Sequence, residues 1–215
     1  MLLENYFNKL SKISDDFFDT PELNNDNIKT DNQTWINFYY QNPLFRHVHL
    51  EYYHSKKIEV VHVNHFPNPL VNLPILGLDV IALGNKITGF FMDFTPMVEK
   101  HPLLDSLLIS LKNSLPLSKE RNLPEWADFF GQHFICLMPH VDEINILFDN
   151  SISVYEDYLE YVKIYLNTYN KNIQVQNKYC VGQKKNDKTL KALALDVGQD
   201  KAKLFMENNL FPEIK

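Results

Sequence analysis

The stretch Ile75-Leu-Gly-Leu-Asp-Val-Ile-Ala-Leu83, followed by Gly84-Asn85 and then by Ile87-Thr-Gly-Phe-Phe-Met-Asp-Phe94, reads as two strands and the turn between them. β-Branched and aromatic residues dominate both arms, and a short Gly-Asn connection of this kind closes a hairpin rather than a crossover. Working outward, similar runs occur at 34–40, 45–53, 58–65, 134–138 and 144–149, most of them separated by equally short connections. The sheet is therefore expected to be mainly antiparallel.

Helical periods flank it. Leu3, Phe7, Leu10, Ile13 and Phe17 share one face of a helix that Pro21 would stop, and Leu104, Leu107, Leu108 and Leu111 share another. A third apolar face runs from Tyr155 through Tyr158, Leu159, Val162, Tyr165 and Leu166 to Tyr169, and the last 30 residues read as a helix entered through Asn186, broken near Gly198 and resumed to about Asn209. The Asn/Asp-rich segment 22–33 reads as a loop. Strands grouped between helices, without a βαβ rhythm, predict an α+β fold: a three-layer α/β/α sandwich in one domain spanning 1–215.

The 215 residues include only 6 glycines and 2 cysteines, with a net charge of −6. The glycines stand singly, so no dinucleotide fingerprint or phosphate-cradling loop can be written. Cys136 and Cys180 are far apart and form no CxxC pair, which removes iron–sulfur, zinc-ribbon and thioredoxin readings. No apolar run approaches the ~20 residues that span a bilayer, and the acidic balance argues against nucleic acid. A cytosolic monomer is expected.

Five of the eight histidines fall between His47 and His65. Strand alternation puts His47, His49 and Glu51 on one face of their strand, and Val60, His62 and Asn64 on one face of the next. A turn centred on Ser55 and Lys56 would set His49 opposite His62, with Glu51 opposite Val60 and diagonal to His62. Three readings stay open from spacing alone: hydrogen-bonded structural histidines, a metal site drawing on His49, His62 and Glu51, or proton chemistry at groups of shifted pKa.

Asp79 sharpens the last of these, because it interrupts an apolar run that reads as a strand buried on both faces. Burial would raise its pKa and let it hold a proton near neutrality; an ion pair with a nearby Lys or Arg is the alternative. With the hairpin turn centred between Gly84 and Asn85, Asp79 would pair with Phe90, and Asp93 would point to the opposite face.

These residues carry a resemblance. The string Val61-His-Val-Asn-His-Phe-Pro-Asn-Pro-Leu-Val-Asn-Leu-Pro-Ile-Leu-Gly-Leu-Asp-Val80 is similar to the signature of the ferredoxin-dependent bilin reductases. Further blocks match in the same order: Val48-His-Leu-Glu51, Asp93-Phe-Thr-Pro96, Glu120-Arg-Asn-Leu-Pro-Glu-Trp126 and Lys185-Asn-Asp-Lys-Thr189. Five collinear blocks span the chain from about residue 40 to the C-terminal helix.

The resemblance implies four-electron reduction of biliverdin IXα to phycocyanobilin, with no bound metal or flavin and with reduced ferredoxin as the external donor. It implies a bilin held between a central antiparallel sheet and the C-terminal helices. By the same resemblance Asp79 would be the central proton donor, His62 its partner, His49 part of a relay behind His62, and Glu51 the donor near the exovinyl group. Asp187 would stand where related reductases use a second acid, although its place in the first turn of a helix favours the carboxylate. Arg121, Trp126 and Lys188 would hold the propionates, with Asn186 and Gln183 also binding substrate. Lys184, Lys185, Lys188, Lys191, Lys201 and Lys203 form a basic cluster suited to an acidic ferredoxin despite the net charge. Two other products of the same chemistry (phycoerythrobilin and 15,16-dihydrobiliverdin), a non-catalytic bilin carrier and a histidine-rich metallohydrolase are the alternatives.

Overall fold

A computed structural model of the chain describes residues 1–18, 22–23, 27–30, 33–97, 100–123, 127–164 and 173–215. Among the described residues nine strands form one sheet: β1 (Glu22–Leu23), β2 (Ile28–Thr30), β3 (Gln33–Tyr40), β4 (Phe45–Ser55), β5 (Ile58–Pro67), β6 (Ile75–Leu83), β7 (Lys86–Thr95), β8 (Lys119–Glu120) and β9 (Ile135–Met138). The order is β1-β3-β4-β5-β6-β7-β9-β8, with β2 also on β3, and every pairing is antiparallel. The helices are α1 (Glu4–Phe18), α2 (Pro102–Asn113), α3 (Ile144–Ile164), α4 (Ile173–Gln183), α5 (Asp187–Val197) and α6 (Gln199–Phe205), the last running into a π-helical turn, Met206–Leu210.

The two faces of the sheet differ in chemistry. Val48, Leu50, Tyr52, Val61, Val63, Leu76, Leu78, Val80, Phe90, Met92 and Phe94 point to one side and are buried against the apolar faces of α1, α2 and α3. Each such side chain removed from water contributes roughly 1.5–3 kcal/mol. Buried hydroxyls tie these helices together: Tyr6 to Ser151 at 2.8 Å, and Ser14 to Tyr155 at 2.7 Å. The Glu59 carboxylate accepts the Leu2 and Leu3 amides, both at 2.9 Å, and so caps α1 from the sheet.

The opposite face carries the polar set. It is covered by α4, α6 and the π turn through Tyr179, Cys180, Phe205, Met206, Leu210 and Phe211, which pack with Trp35, Tyr53, Phe66 and Ile75. Three layers result, as the sequence predicts.

Several local expectations are corrected. Residues 144–149 are the start of the 21-residue α3, not a strand. The segment Ile-Asn-Ile-Leu-Phe is too short for its period to decide, and Leu147 and Ile152 continue into the buried stripe of Tyr155, Tyr158 and Leu159. The expected loop at 22–33 contains β1 and β2. Helix α4 was not anticipated. The end of the predicted third helix, with Tyr165, Leu166 and Tyr169, lies outside the described residues. Strand β6 is buried unevenly: Leu76, Leu78, Val80 and Ala82 on one face are fully buried, whereas on the other Ile75 is buried but Gly77, Asp79 and Ile81 are half-buried.

Candidate active site

The register of β4 on β5 differs by two residues from the one expected. Glu51 lies directly opposite His62, and His49 opposite Asn64. Strand β3 explains this, since it pairs with β4 as far as Ser55 and moves the turn to Lys56 and Lys57. His62 is in turn opposite Asp79 on β6. Directly opposed side chains stand ~5 Å apart on one face, so Glu51, His62 and Asp79 form a row across three adjacent strands.

Asp93 joins that face instead of the opposite one. The pairing starts as expected at the turn, with Leu83 on Lys86 and Ala82 on Ile87, but a bulge then shifts it, so that Asp79 pairs with Phe91 and Gly77 with Asp93. The extra residue is Thr88, whose hydroxyl donates to the Ile81 carbonyl at 3.3 Å.

His62 is the centre of the row. Its Nδ1 lies 2.5 Å from Asp79 Oδ1, and the Asn64 amide nitrogen lies 2.8 Å from its Nε2 and 3.3 Å from the Leu210 carbonyl. That amide donates to both acceptors when Nδ1–H faces Asp79. Placing a second proton on Nε2 requires Asn64 to turn its oxygen inward and release Leu210. Burial of His62 disfavours its charge, but Asp79 and then Glu51 outweigh burial, and its pKa is raised. The Asp79 side chain keeps 35% of its surface exposed and is hydrogen-bonded to His62 at the edge of the site, so among the described residues it is neither fully desolvated nor the partner of a Lys or Arg.

Glu51 is the desolvated acid. It is buried, and burial pushes its pKa up to about 7 against the opposing pull of His62 and of the Trp35 indole. Trp35 Nε1 donates to Glu51 Oε1 at 2.7 Å. His49 is fully buried, stacks on Tyr39 at 4.7 Å between centroids, and shares a 2.9 Å hydrogen bond with Asn37 Oδ1. Burial, with His62 and His47 nearby, holds its pKa well below the ordinary value, so it is neutral. Its ring lies 5.7 Å from that of His62, and its hydrogen bond runs to Asn37. His47 bonds the Asn209 carbonyl at 2.7 Å and is lowered to about 4, chiefly by burial.

Asp93 is buried, with its pKa raised to about 6 by burial; it accepts the Gly131 amide at 2.9 Å and the Thr95 hydroxyl. Between it and Asp79 stands Gly77, where a Cβ would come within 3.0 Å of the Tyr179 hydroxyl. Glycine thus lets Tyr179 of α4 approach the sheet beside the row.

A family model described as ferredoxin-dependent bilin reductase matches residues 3–212. The chain belongs to that family. Phycocyanobilin:ferredoxin oxidoreductase of Prochlorococcus marinus is 31% identical over 201 residues, covering 89% of this chain and 81% of that protein. The enzyme of the same name from Trichodesmium erythraeum is 27% identical over 184 residues, covering 80% and 74%. Among solved structures, the phytochromobilin synthase of tomato, crystallised with biliverdin, superposes with a TM-score of 0.70 at 16% identity, covering 98% of this chain and 81% of that one. PcyX gives the same TM-score at 21% identity over 99% of both chains. These structural likenesses concern the fold.

The structure does not gather the remaining expected positions into the row. Arg121 donates to the Thr88 carbonyl at 3.2 Å and lies over the Phe91 ring at 5.3 Å, beside the strand position opposite Asp79. Gln183 is buried and donates to the Tyr179 hydroxyl at 3.0 Å. Asn186 caps α5 by accepting the Lys188 amide, and Lys188 itself is exposed. Asp187 is exposed and paired with Lys191 at 2.5 Å; that hydrogen bond and charge hold its carboxyl below the usual range. Trp126 lies outside the described residues. Among the described residues no group of three His, Cys, Asp or Glu side chains is arranged to hold a metal, and no helix is long and apolar enough to cross a membrane.

Sequence reasoning missed Trp35, Asn37 and Tyr179, and placed Asn64 on the face of His62 without giving it a role. Asn37 and Asn64 carried a signal, since asparagine is uncommon inside strands. Trp35 carried none, because an aromatic residue is ordinary there.

Proposed function

We propose that the protein reduces biliverdin IXα by four electrons to phycocyanobilin. Reduced ferredoxin supplies the electrons one at a time, and Asp79, His62 and Glu51 supply protons. Family membership and the similarity to two phycocyanobilin:ferredoxin oxidoreductases support the reaction class. The observation that carries the proton chemistry is the row Glu51–His62–Asp79, in which a half-exposed carboxylate, an imidazole of raised pKa and a buried acid near neutrality lie side by side.

The balance is four electrons and four protons for two reduced double bonds. A conjugated tetrapyrrole accepts the electrons itself, so the protein supplies binding, orientation and protons. In this reading no resident redox cofactor is needed. The first and third electrons each make a bilin radical, which the next electron quenches, and the carbon that gains hydrogen is the one a positioned acid can reach. A 2.5 Å hydrogen bond joins His62 Nδ1 to Asp79 Oδ1 and gives a proton a direct path between them. Glu51, across the strand from His62, delivers to the exovinyl end, while Arg121, Trp126 and Lys188 hold the propionates, with Asn186 and Gln183 lining the site.

An anaerobic assay with biliverdin, ferredoxin and a reducing system, followed by product chromatography, tests this. Phycocyanobilin is the expected product. Phycoerythrobilin or 15,16-dihydrobiliverdin as sole product would overturn the assigned regiochemistry, and a coloured complex that never bleaches would mark a carrier.

A further inference from the structure

Trp35 sits in β3, 3% exposed, and its indole contacts are specific. Its ring meets Phe205 of α6 edge-on at 4.7 Å and Tyr53 at 6.1 Å, which fixes its plane. Its Nε1–H then points at Glu51 Oε1, 2.7 Å away, and among the described residues this is the side-chain hydrogen bond that Glu51 receives. An indole N–H can only donate. A neutral carboxyl offers one good acceptor, its carbonyl oxygen, and one donor, its hydroxyl.

We propose that Trp35 is a positioning residue that selects which oxygen of Glu51 carries the proton: it occupies Oε1 and leaves the transferable proton on Oε2. The proposal rests on the reading of Glu51 as a proton donor to the bilin and adds to it a determinant of regiochemistry. A carboxyl free to rotate presents its proton from either oxygen, at positions about 2 Å apart. Such a displacement is enough to change which carbon of a conjugated radical is within reach. The charged or titratable groups facing Glu51 are His62 from β5, Asp79 from β6 and His49 beside it on β4; α6 contributes the apolar Phe205. None of these is placed to do what the indole does, because β3 alone supplies a pure donor.

The test begins with the unmodified protein and no substrate. The chain has two tryptophans, so ¹⁵N labelling gives two indole N–H signals, assigned with Trp126→Phe. The Trp35 signal is expected to move with a single midpoint near neutrality, and this movement to vanish in Glu51→Gln. A Trp35 signal that ignores pH between 5 and 9 overturns the proposal. In Trp35→Phe, which keeps an aromatic ring but lacks the donor, the infrared carbonyl band of protonated Glu51 should shift to higher frequency. Its midpoint should rise by about one pH unit, since a hydrogen bond to the ionised form is lost. An unchanged band and midpoint are the contrary result.

In turnover, Trp35→Phe should lower the ratio of four-electron to two-electron product about ten-fold. An unchanged ratio in Trp35→Phe, alongside a changed one in Glu51→Gln, overturns the positioning role alone. If Glu51→Gln itself leaves the product unchanged, the reading of Glu51 as donor has failed and the proposal falls with it.

Discussion

Glu51 and His62 face each other directly on β4 and β5, and the strand on the far side of His62 places Asp79 against it. The imidazole therefore stands between two carboxyl groups of different character. Asp79 is partly solvated and hydrogen-bonded to His62 Nδ1 at 2.5 Å, whereas Glu51 is buried and held by an indole. Burial alone would keep His62 neutral; the carboxyl groups on either side reverse the sign.

Asp79→Asn removes the larger of those two electrostatic supports. Desolvation then dominates at His62, and its midpoint should fall by at least about one unit, read from imidazole ¹⁵N shifts in the substrate-free protein. Biliverdin should still bind. Turnover should fall by roughly 10² or more, with reduction stalling at a radical or unreduced bilin. An unchanged His62 midpoint would show that Asp79 is not its support, and full four-electron turnover would remove Asp79 from the mechanism.

The buried acid makes a stability prediction with a definite sign. Glu51 titrates at about 7 when folded against an ordinary 4.5. Between those values the folded chain keeps a proton that the unfolded chain has released, so Glu51's contribution to stability falls as pH rises through this window. Glu51→Gln removes that dependence. From pH 5 to pH 8 the wild type should lose about 2.5 kcal/mol relative to Glu51→Gln, measured by urea unfolding at both pH values. Parallel pH profiles for the two proteins would contradict the shifted acid.

Much of this site was legible in the sequence because alternation is a strong constraint. His49, Glu51 and His62 could be placed on a common face from parity alone, and a register error of two residues preserved it. What was lost was which residue faces which, since the turn position depends on how far β3 pairs along β4, a long-range fact. Asp93 was assigned to the wrong face because a single bulged residue, Thr88, inverts the parity of everything beyond it. Helix α4 was invisible for a different reason: its buried side includes Gln176 and Gln183 as well as Tyr179 and Cys180. Gln176 accepts from Arg46 at 2.7 Å and donates to the Pro67 carbonyl at 2.9 Å, so these contacts, rather than an apolar stripe, hold it in place. The C-terminal helices were easier, because Asn186 and Gly198 mark their ends in the sequence.

The helical side of the sheet offers a paired test of hydrogen-bond accounting. Tyr155 and Tyr158 are both fully buried on α3. The Tyr155 hydroxyl meets Ser14 at 2.7 Å and His65 Nε2 at 3.0 Å, whereas the Tyr158 hydroxyl has no hydrogen-bond partner among the described residues. Tyr158→Phe should therefore be neutral or stabilising by about 1 kcal/mol, and Tyr155→Phe destabilising by about 1–2 kcal/mol. Denaturant titration at pH 7 decides; equal losses in both would mean that the Tyr158 hydroxyl is satisfied in solution.

The basic cluster proposed for ferredoxin docking is less uniform than its sequence suggests. Lys184 pairs with Glu213 at 2.7 Å and Lys191 with Asp187 at 2.5 Å, so each of these presents a local dipole more than a free charge. Reversing Lys184 would also set two glutamates together, confounding docking with folding. Lys185, exposed at the end of α4, is the cleaner probe. If an acidic ferredoxin docks over the junction of α4 and α5, Lys185→Glu should raise the KM for ferredoxin several-fold at 50 mM salt. The effect should shrink at 300 mM, because screening weakens exposed charge pairs. Biliverdin affinity should stay at the wild-type value. An unchanged KM at low salt would move the docking surface away from this junction, toward Lys201 and Lys203 on α6.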